Sequence, residues 1–449
     1  MDFFEKISSN VFVPLYNWKF GIDYKDDLKS LQRSQYNSEE QISELQWKKI
    51  KDIIEFAYLN NDFYHNHFDK NDIHPQDINS WDDFLKIPFL TKDDIRSNAN
   101  DLISKNYQKE NMHHKRTGGS TGVPVHLYVD NLAMNFKRAA VHRHNSWAKY
   151  HQGMKRAALW GDTDKELSFK EKFYLNVYDR TIYLDTLKMD DAYLFEFVKK
   201  LKAFQPRSLI GHGHSLYYFA KFILDNKISG IKFDGIISTA ETLFDNERKV
   251  IEQLFGDVLY DRYGCEELSI IASECEKHEG MHINAEGLYV EVLDSDENNP
   301  GELVITDLVN RGMPFIRYKI GDMATIFEKP CSCGRGLPRL KKVYGRVTDI
   351  LHTPEGKKIS GVSILDTFVI HIKGFKQVQI IQDKVDYLHF KIIKDTYFSE
   401  KTMEALHKTV PEIFGSNMKF KTEFVDKIEK TARGKFQFTI CNIKVEEKI

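Results

Sequence analysis

The residues best suited to chemistry sit in one short stretch, Thr117-Gly118-Gly119-Ser120-Thr121-Gly122, closed by Val123-Pro124 and preceded by His114-Lys115-Arg116. Glycine allows backbone conformations that turn successive N–H groups into one concavity, which is how a backbone cradles an anion. The hydroxyls of Thr117, Ser120 and Thr121 add donors, and Lys115 and Arg116 add positive charge. That combination suits a polyphosphate. The spacing is not that of a Walker loop, so a P-loop NTPase is excluded. Alone, such a stretch is more often an ordinary turn than a site.

A second group is sulfur-rich. Cys331-x-Cys333 lies in a Pro/Gly turn, and Cys275 precedes His282 by seven positions. Three thiolates and an imidazole make a tetrahedral structural zinc set, with His278 as the alternative nitrogen ligand; four unrelated reduced side chains are the plain reading. Cys265 and Cys441 read as ordinary thiols.

The chain that must position these groups has 449 residues, 41% hydrophobic and 29% charged, with 64 Lys plus Arg against 66 Asp plus Glu. This is the composition of a globular protein long enough for two or three domains. The near-balance of charge gives no general attraction to nucleic acid. No stretch reaches the roughly 18 apolar residues of a membrane span, and the first residues lack a signal-peptide pattern. With few cysteines, the expected compartment is the cytoplasm.

Residues 1–110 read as mainly helical, with a Ser38/Gln41 cap ahead of an apolar-periodic run through Leu45, Trp47, Ile50 and Ile54. A strand is expected at 125–129 and a helix at 131–150. Three apolar runs then end in small residues and lead into helices: 156–161, 208–215 and 235–242. Such units predict α/β layering with ligands at the carboxyl ends of the strands. Runs at 288–293 and 302–306 around Asn298-Asn299-Pro300-Gly301 read as a β-hairpin. Beyond Gly345, strands near 376–382, 386–393 and 418–425 and a helix near 399–414 predict a small α+β domain.

Four motifs now stand in one order: Thr117–Pro124; Tyr263-Gly264-Cys265-Glu266-Glu267; Pro314-Phe315-Ile316-Arg317-Tyr318-Lys319-Ile320-Gly321-Asp322; and Gly345-Arg346-Val347-Thr348-Asp349. Together they resemble the adenylate-forming (ANL) superfamily. The run Cys331-Ser332-Cys333-Gly334-Arg335-Gly336-Leu337-Pro338-Arg339 is most similar to the branch holding phenylacetate-CoA ligase and the capsular polysaccharide protein CapK. The resemblance covers nearly the whole chain from about residue 80. It implies a large N-terminal adenylate-binding α/β domain with a β-hairpin/barrel subdomain over 1–345, and a small mobile α+β lid over 346–449.

It also implies roles. The loop at 117–122 would hold the ATP phosphates, and Thr239-Ala240-Glu241 would lie along adenine with Tyr263 stacked on it and Gly264 beside it. Asp322 would bind the ribose hydroxyls, Arg346 ribose and phosphate, and Glu267 Mg²⁺. Lys435 in Thr431-Ala432-Arg433-Gly434-Lys435 would be the catalytic lysine, acting with Glu267 and Arg346. Some relatives in this branch carry zinc at the Cys/His positions.

Three departures stand out: Glu266 where Thr or Ser is usual, Thr348 at the usual hinge aspartate, and Gly-Gly-Ser in the loop. An extra anion at Glu266 would repel phosphate unless it turns away or meets a cation. Trp147, His142, Trp160, His212, His214 and Tyr217 fall in segments expected to line the acid's pocket, where polar side chains favour a polar acid.

The activity implied is ATP-dependent activation of a carboxylic acid followed by transfer to CoA. The alternatives are transfer to an amine in polysaccharide modification, and an adenylate-binding remnant without catalysis. Expected partners are small molecules, namely ATP, the acid, and CoA or an amine; a homodimer is left open.

Overall fold

The computed structural model describes residues 3–116, 125–160, 174–186, 188–295, 299–346, 350–356, 358–360, 368, 372–429 and 437–443. The Gly-rich stretch 117–124, Thr348 and Lys435 lie outside them.

The N-terminal third is helical, as expected. Helix α1 (Glu39–Asn60) begins where Ser38 and Gln41 exchange hydrogen bonds, Ser38 N–H to Gln41 Oε1 at 3.0 Å and Gln41 N–H to Ser38 Oγ at 3.3 Å. Two otherwise orphaned N–H groups are thereby satisfied. The apolar face of α1 (Ile42, Ile50, Ile54, Ala57) enters the largest core, which also takes in Tyr318, Leu340 and Cys331. A hairpin of β1 (His113–Arg116) and β2 (His126–Val129) flanks the Gly-rich stretch and leads into α2 (Asn131–Trp147), capped by Asp130.

The centre is an eleven-stranded sheet. Its parallel half comprises β3 (Arg156–Trp160), β4 (Thr181–Asp185), β5 (Ser208–Gly211), β6 (Gly235–Thr239) and β7 (Leu259–Cys265), in the order 4-3-5-6-7. The connecting helices α3 (Asp191–Phe204), α4 (Gly213–Asp225) and α5 (Asp245–Phe255) cover one face, burying Leu159, Leu209, Ile236 and Leu259. Because side chains alternate along a strand, Ile210, Ile237 and Tyr260 point to the other face, against Ala148 at the end of α2.

The sheet turns antiparallel at β8 (Ser269–Glu274) and continues through β9 (Met281–Ile283), β13 (Arg339–Arg346), β12 (Tyr318–Phe327), β11 (Gly301–Asp307) and β10 (Leu288–Leu293). The hairpin expected around Pro300 is the β10/β11 pair, and it joins the parallel half through β9 and β8.

The C-terminal unit has its own core. A hairpin of β14 (Ile350–His352) and β15 (Lys358–Ser360) precedes a four-stranded sheet of β16 (Phe375–Lys384), β17 (Tyr387–Lys394), β18 (Lys419–Phe424) and β19 (Thr439–Cys441), ordered 18-17-16-19. Helix α6 (Glu400–Phe414) packs Leu406, Val410 and Phe414 on Val378, Leu388 and Phe390. Phe244, just ahead of α5, packs against this core from the large unit.

Candidate active site

Tyr263 and Asp322, 59 positions apart, meet at 2.6 Å, the tyrosine hydroxyl donating to Asp322 Oδ2. Tyr263 lies near the end of β7, while Asp322 lies in β12 directly opposite Arg346 of β13. Gly264 is required by packing, since a Cβ there would stand 2.5 Å from the Ser269 carbonyl oxygen. The adenine-edge segment follows β6, where Ala240 is in the left-handed region at φ 68°. A non-glycine residue held there is strained, as backbone at ligand sites often is. Glu241 Oε2 accepts the His214 N–H at 3.4 Å, and His214 Nδ1 pairs with Glu247 Oε1 at 2.8 Å, joining the turns after β5 and β6.

The turn that carries Glu267 is gripped by two lysines. Lys115 Nζ donates to the Glu266 carbonyl and Lys137 Nζ to the Glu267 carbonyl, each at 3.4 Å. Lys137 is committed to a buried ion pair with Asp307 at 2.7 Å. Burial, and then Lys137 beside it, pushes the Lys115 ammonium down from its ordinary pKa. The Glu266 side chain is exposed, and the extra anion meets a cation: its charge acts on Lys115, whose ammonium also donates to its carbonyl. Tyr318 Oη donates to Glu267 Oε1 at 3.4 Å. Cys265 lies behind this carboxylate, its thiol held far above the usual range by burial and then by the Glu267 charge. One carboxylate beside a phosphate site fits Mg²⁺, which takes few protein ligands and keeps substrate phosphates and waters. Neither the lysine grip nor the buried acids near it was anticipated from sequence.

The second cluster forms where β13 pairs with β9, Arg339 opposite His282. The ligand atoms of Cys275, His282, Cys331 and Cys333 lie within 4.8 Å of one another. Cys275 Sγ and Cys331 Sγ are 3.7 Å apart, and Cys333 Sγ is 3.3 Å from His282 Nε2. Those separations fit the edges of a zinc tetrahedron, since Zn–S bonds of about 2.3 Å would give an S···S edge of about 3.8 Å. His282 Nδ1 faces the Leu337 carbonyl at 3.2 Å, which leaves Nε2 toward the sulfurs. Burial pushes the His282 imidazole down to about 4, keeping it in the neutral, ligating form. Backbone N–H groups of Lys277 and Arg335 donate to Cys275 and Cys333. His278, the alternative nitrogen, is engaged elsewhere, between Glu274 at 3.1 Å and Asp257 at 3.2 Å.

The residues expected to line the acid's pocket divide. His212 stacks on Trp160, ring centroids 4.5 Å apart, at the carboxyl edge of the parallel strands, and His214 follows on α4. Trp147 and His142 are each engaged in packing contacts. Trp147 donates to Gln35 at 3.0 Å and sits edge-on to His282 beside the cysteines. His142 stacks on Tyr24 at 4.4 Å, with burial pushing its imidazole down to about 4.

Residues 351–442 match the family described as the CapK C-terminal domain. Protein CapK of Staphylococcus aureus is 28% identical over 408 residues, covering 89% of each chain. A phenylacetate-coenzyme A ligase of Thermus thermophilus is 23% identical, covering 87% of this chain and 88% of the other. A 2-hydroxyisobutyryl-CoA ligase in its postadenylation state superposes with a TM-score of 0.68 at 19% identity, over 90% of both chains. The same ligase in its thioesterification state gives 0.55 over the same coverage.

The fold is that of the adenylate-forming CoA ligases. Over most of its length the chain is similar to CapK and to phenylacetate-coenzyme A ligases, and its residues 351–442 match the CapK C-terminal domain.

Proposed function

We propose that this protein is an ATP-dependent acid ligase. A substrate carboxylate oxygen attacks the α-phosphorus of ATP, the bond to the bridging oxygen breaks, and pyrophosphate leaves. An incoming nucleophile then attacks the acyl carbon and AMP departs. Two anions must approach each other in the first step, so the protein has to supply fixed positive charge and donors. Lys115, the Gly-rich stretch and Lys435 are the groups assigned to that task.

The convergence of Tyr263 with Asp322 carries this reading, because it brings together an aromatic ring and the carboxylate assigned to ribose from strands that three others separate in the sheet. Arg346, opposite Asp322 in the ladder, is assigned to the same nucleotide. Glu267 would hold Mg²⁺, which offsets phosphate charge when bound. Cys275, His282, Cys331 and Cys333 would hold zinc with all four positions filled, a structural role that braces β9 against the turn before β13.

The default acceptor is the CoA thiol. An amine acceptor in polysaccharide modification is the second reading, favoured by one observation: the C-terminal unit, which would present the acceptor, matches the CapK C-terminal domain. We assign two domains, 1–345 and 346–449, the second moving against the first about a linker just after Gly345. We place the enzyme in the cytoplasm; among the described residues no helix is long and apolar enough to cross a membrane.

Acid-dependent exchange of labelled pyrophosphate into ATP tests the reading. Exchange is expected with wild type and lost with Lys435→Ala. Exchange with no acid, or full exchange in the variant, refutes it. CoA and amines offered to the adenylate then decide the acceptor.

A further inference from the structure

In a parallel sheet, residues in register on neighbouring strands point to the same face, so the ends of β3, β5, β6 and β7 set side chains in a row. Leu159 is level with Gly211, Gly211 with Ser238, and Thr239 with Arg262. One residue on from the first two pairs, the row reads Trp160, His212, Thr239, Arg262. It lies on the face opposite α3–α5, at the carboxyl edge where ligands of such sheets bind. Trp160 and His212 confirm the alignment by stacking, with planes 23° apart, and Trp160 keeps 37% of its surface exposed.

Arg262 ends this row with an unusual environment. Its guanidinium NH2 donates to Asn145 Oδ1 of α2 at 2.7 Å. Its Nε is shielded from solvent without a hydrogen-bond partner, and no carboxylate pairs with it among the described residues. Burial, and then Arg156, lowers its pKa to about 10, which marks a cation short of a counter-charge. Buried guanidinium groups are normally paired. Nor does it face the nucleotide. Tyr263, the next residue along β7, points to the opposite side and meets Asp322 there.

We propose that Arg262 binds a second anionic or strongly accepting group of the acid substrate, whose ring or chain lies across the Trp160–His212 pair. The substrate is then a bifunctional, polar carboxylic acid, and not an unsubstituted aryl or alkyl acid. Arg262 and the stacked pair are two to three strand spacings apart, about 10–14 Å at the backbone. An arginine side chain extending inward brings its head within reach of a six-carbon acid. This inference rests on the adenylation reading and adds the class of acid.

Acids in matched pairs test it: hexanoate against adipate, phenylacetate against 4-carboxyphenylacetate, and gluconate against glucarate as a sugar-acid pair. Pyrophosphate release is measured for wild type, Arg262→Met and Arg262→Lys, with MgATP affinity measured separately by calorimetry. In at least one pair, wild type should favour the more acidic member at least tenfold in kcat/KM. Arg262→Met should bring that ratio near one while holding MgATP affinity within twofold, and Arg262→Lys should recover part of it. The proposal is overturned by a wild-type ratio of one or less in every pair, by equal loss for both members in Arg262→Met, or by lost MgATP affinity in that variant. Wild type that binds no MgATP at all refutes the adenylation reading itself.

Discussion

Asp322 accepts a 2.6 Å hydrogen bond from the Tyr263 hydroxyl, so the carboxylate assigned to ribose is aimed by the ring assigned to adenine. One hydrogen bond thus fixes the relative placement of two nucleotide contacts. Replacing Asp322 with Ala removes a charged acceptor and leaves Tyr263 without its partner. MgATP and AMP should both bind at least tenfold more weakly, about 1.4 kcal/mol. Tyr263→Phe keeps the stacking face and loses only the aiming bond. A smaller loss, roughly two- to tenfold, is expected from one neutral donor. Calorimetric titration of the two variants checks the order; a larger effect in Tyr263→Phe would contradict it.

Lys115 should distinguish the pyrophosphate part of the nucleotide from the rest. Its ammonium lies at the Glu266 carbonyl, two residues ahead of Thr117, while the neighbouring Lys137 is already matched by Asp307. The half-buried Lys115 ammonium stands beside the buried Lys137 charge, which lowers its pKa, an arrangement that an incoming polyphosphate would relieve. Lys115→Ala should weaken MgATP and pyrophosphate binding by about 1.5–3 kcal/mol, roughly 10- to 100-fold, and leave AMP within twofold. Equal losses for AMP and ATP would place Lys115 in the scaffold instead.

The Cys/His corner should be a metal centre that serves stability. Purified protein should carry about one zinc per chain by elemental analysis. Cys333→Ser should lose it and melt several degrees lower, because Cys331 and Cys333 then no longer tie the turn before β13 to Cys275 and His282. His278→Ala should keep the metal, since His278 is held by Glu274 and Asp257. Zinc retained in Cys333→Ser and lost in His278→Ala would reverse the ligand assignment.

Local signals explain what was legible in the sequence. The Ser38/Gln41 cap, the hairpin around Pro300 and the strands and helix beyond residue 375 all depend on neighbours within a few positions, and all are present. The Tyr263–Asp322 pairing was reachable only through ordered motifs, because periodicity carries no information about partners 59 positions apart. Three features escaped. The row from Trp160 to Arg262 depends on the register of four strands. Lys137 reads as an ordinary helical lysine until β11 brings Asp307 to it. Trp147 looked like a pocket residue because its sequence does not reveal that Gln35 and His282 will surround it.

A last expectation concerns pH. Asp261 in β7 lies beside Glu274 of β8, and Glu274 keeps its charge: despite burial, it receives His278, Arg248 at 2.7 Å and the Asp261 N–H at 3.0 Å. Asp261 has Arg248 and Lys342 more weakly in its favour, and burial followed by the Glu274 charge pushes its carboxyl up to about 7 from 3.8. The folded chain therefore holds a proton that the unfolded chain releases between those values. The resulting stability is complete below the unfolded pKa and is lost as pH rises through the folded one. Asp261→Asn keeps an acceptor for the Arg262 N–H, a bond of 2.9 Å in the native chain, and removes the titration. Between about pH 5 and pH 8, wild type should lose urea resistance relative to this variant, the contributions of other groups cancelling in the difference. A difference that stays flat, or that grows in wild type's favour as pH rises, would mean that Asp261 is ionised in the native protein.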